Sequence, residues 1–310
     1  MNEKNAQFLK ERMLFLGFGE NLNAEMEKKI KEKPDQFNLS IQGEFGSGDK
    51  KKIVDYDLDF TRSKKEDMYF VNNYTATLRD DNPEKEKSQK FYLNYGSGVT
   101  AKEAFNLLEG RAVYKTKLKN REGNQYNSWQ QLNFSEKDKN DNFKVQPYHD
   151  NWKYDLEKSL DKHPIKQLND AEQKADLIKS LQKGNVQQVT FVKGDKETKM
   201  FLEANPKDKN IIVYDQNMQK QSQGIRLPSK EVSERQSIQN TDKGSDPKGN
   251  SQGDLGRGAD GKDVNQSANQ KQENSATMEV HRSDRKQRSA KDELKNEDAP
   301  SKKKGRGMRA

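Results

Sequence analysis

The chain contains no cysteine. Disulfides, thiolate nucleophiles and Cys-ligated zinc are therefore excluded together, in keeping with a reducing, cytoplasmic setting. Only three histidines occur, His149, His163 and His281, too scattered for a histidine-based metal cluster. Apolar residues are also scarce, at 29% against 35% charged. No run approaches the roughly 18 apolar residues needed to span a bilayer, so no membrane partner is expected. The nearest thing to an export signal is Met13–Gly19. Its apolar stretch is minimal, Glu3 and Glu11 stand where cations belong, and no small-x-small cleavage site follows. It reads as a helix end: Leu9, Met13 and Leu16 share a face, Phe8 and Phe15 flank it, and Gly17 stops it.

So few apolar residues, spread evenly, could hardly offset the entropy of ordering a chain of 310 residues. They are not spread evenly. Nearly all aromatics precede Met218, including both tryptophans, Trp129 and Trp152. The first part can fold, and the expectation for 219–310 is a disordered tail.

Within the first part the sequence repeats itself. Leu58-Asp-Phe-Thr-Arg-Ser-Lys-Lys65 matches Leu132-Asn-Phe-Ser-Glu-Lys-Asp-Lys139 at an offset of 74. At that offset Tyr69 meets Phe143, Val71 meets Val145 and Tyr74 meets Tyr148. A third copy, Leu202-Glu-Ala-Asn-Pro-Lys-Asp-Lys209, follows at an offset of 70 and repeats the Lys-Asp-Lys-Asn of residues 137–140. A helical pattern precedes each copy: Leu22, Met26 and Ile30; Ala101, Ala104, Leu107 and Leu108; Leu177, Ile178 and Leu181. Thr100-x-x-Glu103 and Asp170-x-x-Gln173 have capping-box spacing, and Gly110 and Gly184 stand where a helix stop is wanted. Two strands follow, joined by Gly46–Asp49, Glu122–Asn124 or Gly194-Asp195, and a third closes each unit at 68–75, 143–148 or 211–215. An extra strand at Phe91–Leu93 follows the first unit. A helix carrying Trp152, Leu156 and Leu160, ended by His163-Pro164, links the second unit to the third.

The fold expected is α+β: three tandem helix–strand–strand–strand units with small antiparallel sheets, followed by the tail. The boundaries are 1–99 (N-terminal helix, first unit and extra strand), 100–168 (second unit and connecting helix), 169–218 (third unit) and 219–310. Units this small cannot each bury a core, so they must pack on one another.

Few motifs suggest chemistry. Gly43–Lys50 is glycine-rich like a phosphate-binding loop, but Asp49 interrupts the Gly-Lys-Ser/Thr that phosphate and metal require, and no helix follows. A hairpin turn is the better reading. Asp55, Asp57 and Asp59 put three carboxylates on one strand face, where a divalent cation or plain solvent would meet them; the other copies lack the triad. In Tyr148-His149-Asp150, neighbours on a strand point to opposite faces, so Asp150 cannot easily orient His149 as a base. Lys291–Leu294 resembles an ER retrieval signal but is internal. The expectation is a non-enzymatic protein without cofactor, metal site or small-molecule substrate.

Charge concentrates at the end. Residues 281–310 hold eleven Lys and Arg against five acids, leaving only two of the chain's +8 for residues 1–280. No acid follows Asp298. Lys302, Lys303, Lys304, Arg306 and Arg309 are the candidate nucleic-acid contacts, because mobile cations neutralise phosphates without reading sequence. A tail that only solubilises is the other reading. Anionic lipid is disfavoured, since no apolar anchor accompanies the charge.

Four segments, Phe18–Asn23, Asp67–Asn72, Ala104–Val113 and Gly184–Phe191, resemble an uncharacterised Bacteroidetes family that travels with conjugative and mobilisable elements. Similar short helix–hairpin units occur appended to topoisomerase-like proteins of those elements. The family has no established activity, so the resemblance implies a context: an accessory protein meeting a protein partner encoded by the same element, and DNA. The alternative is a protein–protein adaptor or inhibitor without nucleic-acid binding.

Loss of apolar periodicity sets a first test. Limited proteolysis should cut rapidly after about residue 220 and leave a resistant fragment ending near Met218. A protected fragment reaching past residue 260 would contradict it.

Overall fold

The computed structural model describes residues 2–46, 51–93, 98–221 and 277–279, the last by backbone alone. Chain contacts divide the molecule into Met1–Val280 and His281–Ala310, the second lying wholly outside the described residues.

Helix α1 (Glu3–Leu16) is capped by the Asn2 side chain and ends at Gly17 in the left-handed region, φ 85°. Leu9, Met13 and Leu16 are fully buried, while Phe8, Leu14 and Phe15 face outward. Helix α2 (Asn23–Glu32) buries Met26 and Ile30, with Leu22 buried at its start. It stops at Lys33, which adopts φ 55°. A lysine in the place taken by glycine in the other units is why the first helix aligns weakly with them.

The first sheet follows: β1 (Gln36–Phe45), β2 (Lys52–Arg62), β3 (Tyr69–Leu78) and β4 (Lys87–Tyr92), all antiparallel neighbours. Period-2 alternation turns Phe37, Leu39, Ile41, Tyr56, Leu58 and Phe60 inward. The extra strand expected at Phe91–Leu93 is β4, beginning at Lys87.

Helix α3 (Ala101–Leu108) opens with a complete capping box: the Thr100 hydroxyl accepts Glu103 N–H and the Glu103 carboxylate accepts Thr100 N–H. Gly110 (φ 87°) turns the chain into the second sheet, β5 (Val113–Lys119), β6 (Gln125–Lys137) and β7 (Phe143–His149). One helix over Trp152–Leu160 was the expectation; instead a 3-10 turn at Asp150–Trp152 is followed by Lys153 at φ 58° and then α4 (Leu156–Leu160). The Asp155 carboxylate accepts Lys158 N–H and starts α4 afresh, and Trp152 Nε1 is drawn aside to donate to Pro206 O at 2.8 Å.

Helix α5 (Ala171–Gln182) is capped by Asp170, which accepts Gln173 N–H. Gly184 leads into the third sheet, β8 (Gln187–Lys193), β9 (Lys196–Asn205) and β10 (Asn210–Tyr214). The chain then folds back through a turn held by Asp215, and Gln221 N–H donates to Val213 O at 2.8 Å, three residues past the expected border at 218. A further strand, β11 (Thr277–Glu279), pairs antiparallel with β1 and makes the first sheet five-stranded. It lies in the span expected to stay without regular structure.

The fold is thus α+β with three small antiparallel sheets, and Leu58, Leu132 and Leu202 are each buried on the middle strand of a sheet. The repeat is imperfect on the third strand. The connecting turns shorten from 63–68 to 138–142 to 206–209, and the register shifts at Asp59/Phe60 in sheet one and at Asn133/Lys137 in sheet two, so Leu58 faces Tyr74, Leu132 faces Val145 and Leu202 faces Val213. Val71 is buried, whereas its counterpart Val145, directly opposite Leu132 and so on the same face, is 47% exposed.

Two apolar clusters form, and neither follows the unit borders. The first joins α1, α2 and sheet one to Ala104, Leu107 and Leu108 of α3, together with Val113 and Leu132. The second joins Trp129 and Tyr148 of sheet two to α4, α5 and sheet three. The helix of the second unit therefore covers the sheet of the first. Leu58→Ala and Leu202→Ala should each lower the unfolding free energy by about 2–5 kcal/mol, whereas exposed Phe8→Ala should change it by less than ~0.5 kcal/mol. Urea titration followed by tryptophan fluorescence would measure all three.

Candidate functional site

The five cations expected to contact nucleic acid, Lys302, Lys303, Lys304, Arg306 and Arg309, lie outside the described residues. Among the described residues, polar or open surface gathers in several places.

The first is the outer face of sheet one. Asp59, Asp57 and Asp55 do line one face of β2, and each is met by a neutral donor on β1. Asn38 Nδ2 donates to Asp59, Ser40 Oγ to Asp57, and Gln42 Nε2 to Asp55. Across the sheet, Asp55 also receives Arg79, and Asp59 pairs with Lys90 at 3.1 Å. The register extends these contacts into ranks: Asn38, Asp59, Asn73 and Tyr92; Ser40, Asp57, Thr75 and Lys90; Gln42, Asp55, Thr77 and Ser88. Strand geometry spaces the carboxylates two residues apart, and among the described residues no trio of His, Asp or Glu is gathered as a metal ion would require. The face is a cross-linked polar surface.

The second place is the junction of the second and third units. Asn106, 1% exposed on α3, donates from Nδ2 to Lys183 O at 2.6 Å and to Asn185 Oδ1 at 3.0 Å. Its Oδ1 accepts from Arg111 Nη2 at 2.7 Å, and Arg111 Nε donates to Gly184 O at 3.0 Å. The guanidinium lies 5.0 Å from the Phe105 ring centroid and 3.6 Å from Glu109. Burial pulls the Arg111 pKa down, and Glu109 and Glu203 oppose that pull. Glu203 is the complement: burial raises its carboxyl above the ordinary range, while the Tyr214 hydroxyl, donating at 2.7 Å, and Arg111 draw it back. Gly184 (φ 78°) has no room for a side chain, since a Cβ there would stand 2.9 Å from Ala112 O. Every polar atom named in this group faces a partner, which is the pattern of a structural joint.

The third place is a groove of ≈480 Å³ between β4 and sheet two, lined by Phe91, Tyr92, Leu118, Leu132, Phe143 and Val145 among others. Two buried amides bridge the strands beside it: Gln89 Oε1 accepts Phe143 N–H at 2.8 Å, and Asn142 Oδ1 accepts Lys90 N–H at 2.9 Å. Asp138 also lines it, but its carboxylate accepts the Asn140 and Asn142 N–H groups and holds the turn. A larger concavity, ≈740 Å³, is formed by the charged turn between β2 and β3.

Tyr148-His149-Asp150 stands as strand geometry requires. Tyr148 is buried and hydrogen-bonds Gln131, whereas His149 is exposed beside Tyr126. Gly43 lies within β1, opposite Val54, and Gly46 follows the strand end ahead of β2, as in a hairpin; residues 47–50 lie outside the described set. Sequence reasoning passed over Asn106, Arg111, Glu203 and Tyr214. The available signal was the pairing of two short motifs, Ala104–Val113 and Gly184–Phe191, whose facing residues build the joint.

No family model matches the chain, and no curated protein or solved structure matches it either.

Arg111→Met should cost about 3–5 kcal/mol of stability, because Asn106 Oδ1 and Gly184 O would lose their donor, Glu109 its ion-pair partner and Glu203 a nearby positive charge. Equilibrium urea unfolding would report it. A loss under ~1 kcal/mol would show that the joint is dispensable.

Proposed function

We propose that the chain is a non-catalytic accessory protein of a mobile genetic element. In this reading its α+β units hold a protein partner, and Lys302, Lys303, Lys304, Arg306 and Arg309 contact duplex DNA without reading its sequence. The observation that carries the nucleic-acid half is the segregation of charge, with six of the chain's eight surplus positive charges in residues 281–310. On the folded part, by contrast, lysines and arginines are met by acids at many points: Lys10 by Glu27, Arg79 by Asp55 and Glu86, Lys115 by Glu103, Lys166 by Glu197.

The protein-partner half is supported by α1. Its inner face is fully buried, yet Phe8 and Phe15, a helical repeat apart on one face, are 56% and 65% exposed, with Arg12 over the Phe15 ring. Exposed aromatics grouped this way favour an interaction surface over a plain solvated face. The mobile-element context rests on the resemblance of the four quoted segments. Among the described residues no helix is long and apolar enough to cross a membrane. The second reading, a protein–protein adaptor or inhibitor without nucleic-acid binding, draws on the same face of α1.

Fluorescence anisotropy with a labelled duplex, comparing the full chain with one lacking residues 299–310, separates them. The full chain should bind weakly, with affinity falling steeply as salt rises. Deletion of the five cations should flatten the log–log salt slope by about four to five. Equal affinities at low salt would favour the adaptor, and no binding by either chain would remove the nucleic-acid reading.

A further inference from the structure

The outer edge of β1 is where the fold offers most to another strand. β1 is ten residues long, and β2 pairs with one side of it along its whole length, from Gln36 to Phe45. Its other side carries the remaining backbone groups of an edge, which attract a further strand wherever they are not blunted. β1 holds no proline and no lysine, two of the usual blunting devices, and its one charged residue, Glu44, is paired with Lys51 at 2.7 Å. The opposite edge of the same sheet is protected differently, since β4 has its Lys90 N–H taken by Asn142 and lies against sheet two.

One segment sits on the β1 edge. Thr277–Glu279 runs antiparallel to it in a defined register, Glu279 opposite Gln42, Met278 opposite Gly43 and Thr277 opposite Glu44. The central position of β1 in that register is a glycine, the residue that allows the closest backbone approach. Residues 222–276 join Gln221 to Thr277, and 55 residues can span up to roughly 180 Å, so the tether does not limit reach. Three residues form few ladder hydrogen bonds. Covalent attachment is what makes so short a strand competitive, because docking becomes an intramolecular event.

We propose that the outer edge of β1 at Gln42–Glu44 is a strand-docking site, and that the chain's own Thr277–Glu279 occupies it in cis. The site recognises extended backbone by main-chain hydrogen bonds. Its occupant is a short strand that a longer and better-paired one can displace. Binding of an extended segment from another protein would then release residues 277–279 and the terminus that follows them. This inference stands independently of whether that terminus meets DNA.

Amide hydrogen exchange on the full chain tests it, comparing wild type with Met278→Pro and with Ser251→Pro as a control within the same span. Proline has no N–H to give and fixes φ, so it cannot hold the centre of a three-residue ladder. Peptides covering Gln42–Glu44 should exchange at least tenfold faster in Met278→Pro, with peptides from β2 and β3 unchanged. Ser251→Pro should exchange as wild type does. A labelled synthetic peptide of residues 272–284 should bind Met278→Pro at least tenfold more tightly than wild type, whose site is already filled. Identical exchange in wild type and Met278→Pro would overturn the proposal. So would protection of Gln42–Glu44 that disappears on dilution, since the strand would then come from a second copy.

Discussion

The arrangement of the second and third units depends on two backbone carbonyls at the end of α5, Lys183 O and Gly184 O, that helix geometry leaves without intrahelical partners. Gly184 itself is buried, and a Cβ there would stand 2.9 Å from Ala112 O. Asn106 and Arg111 serve them instead, one from α3 and one from the turn that follows it. The consequences spread from there. Arg111 must be buried to reach Gly184, so it needs carboxylates nearby, and Glu109 and Glu203 supply them. Glu203 must in turn be kept hydrogen-bonded, which Tyr214 does from the neighbouring strand. Closing one pair of orphan carbonyls thereby ties α3, α5, β9 and β10 into a single polar joint.

The first and second units are joined by a different device with the same logic. The hydroxyls of buried Tyr56 and Tyr74 donate to Ala101 O and Val99 O, anchoring the start of α3 on sheet one. Phe45 stacks on Phe105 at 4.3 Å between centroids, and Lys115 reaches Glu103 and Gly98 O from β5. Gln89 and Asn142 each lend a side-chain carbonyl to the other strand's N–H. The joints explain why the apolar clusters are offset from the repeat. Sheet one is wider than α1 and α2 cover, and the helix of the following unit, α3, completes the cover of its inner face.

What the molecule leaves outward is sorted by chemistry. Sheet one presents ranks of amides, hydroxyls and carboxylates in which each Asp carboxylate of β2 is met by a donor on β1, while Asn73 Oδ1 is left without a partner. α1 presents Phe8 and Phe15, and the outer side of β1 presents backbone to a further strand; by sequence, six of the chain's eight surplus positive charges fall in residues 281–310. On the proposed reading these surfaces would be served by distinct interactions, namely apolar burial, strand addition and counterion release.

The sequence by itself determined the elements. Local rules place them: Leu9, Met13 and Leu16 at helical spacing, the Thr100–Glu103 box, Gly17, Gly110 and Gly184 at helix ends, and alternation along β2 depend on near neighbours. Even the three buried leucines were legible, because matched strands impose the same period. Where only short-range competition decided, reading failed locally: Asp155 outbid the Trp152–Leu160 pattern, and a register shift at Asn133/Lys137 set Val145, not Tyr148, opposite Leu132. The joints were decided by tertiary structure alone. Asn106 and Arg111 look like ordinary polar residues beside a helix end until α5 arrives some seventy residues later and presents its carbonyls. The pairing of β11 with β1 is of the same kind, since a three-residue strand has no periodicity to announce it and exists only where an edge is waiting. Local sequence encodes which backbone groups lack partners, and only the folded chain shows which distant residue comes to meet them.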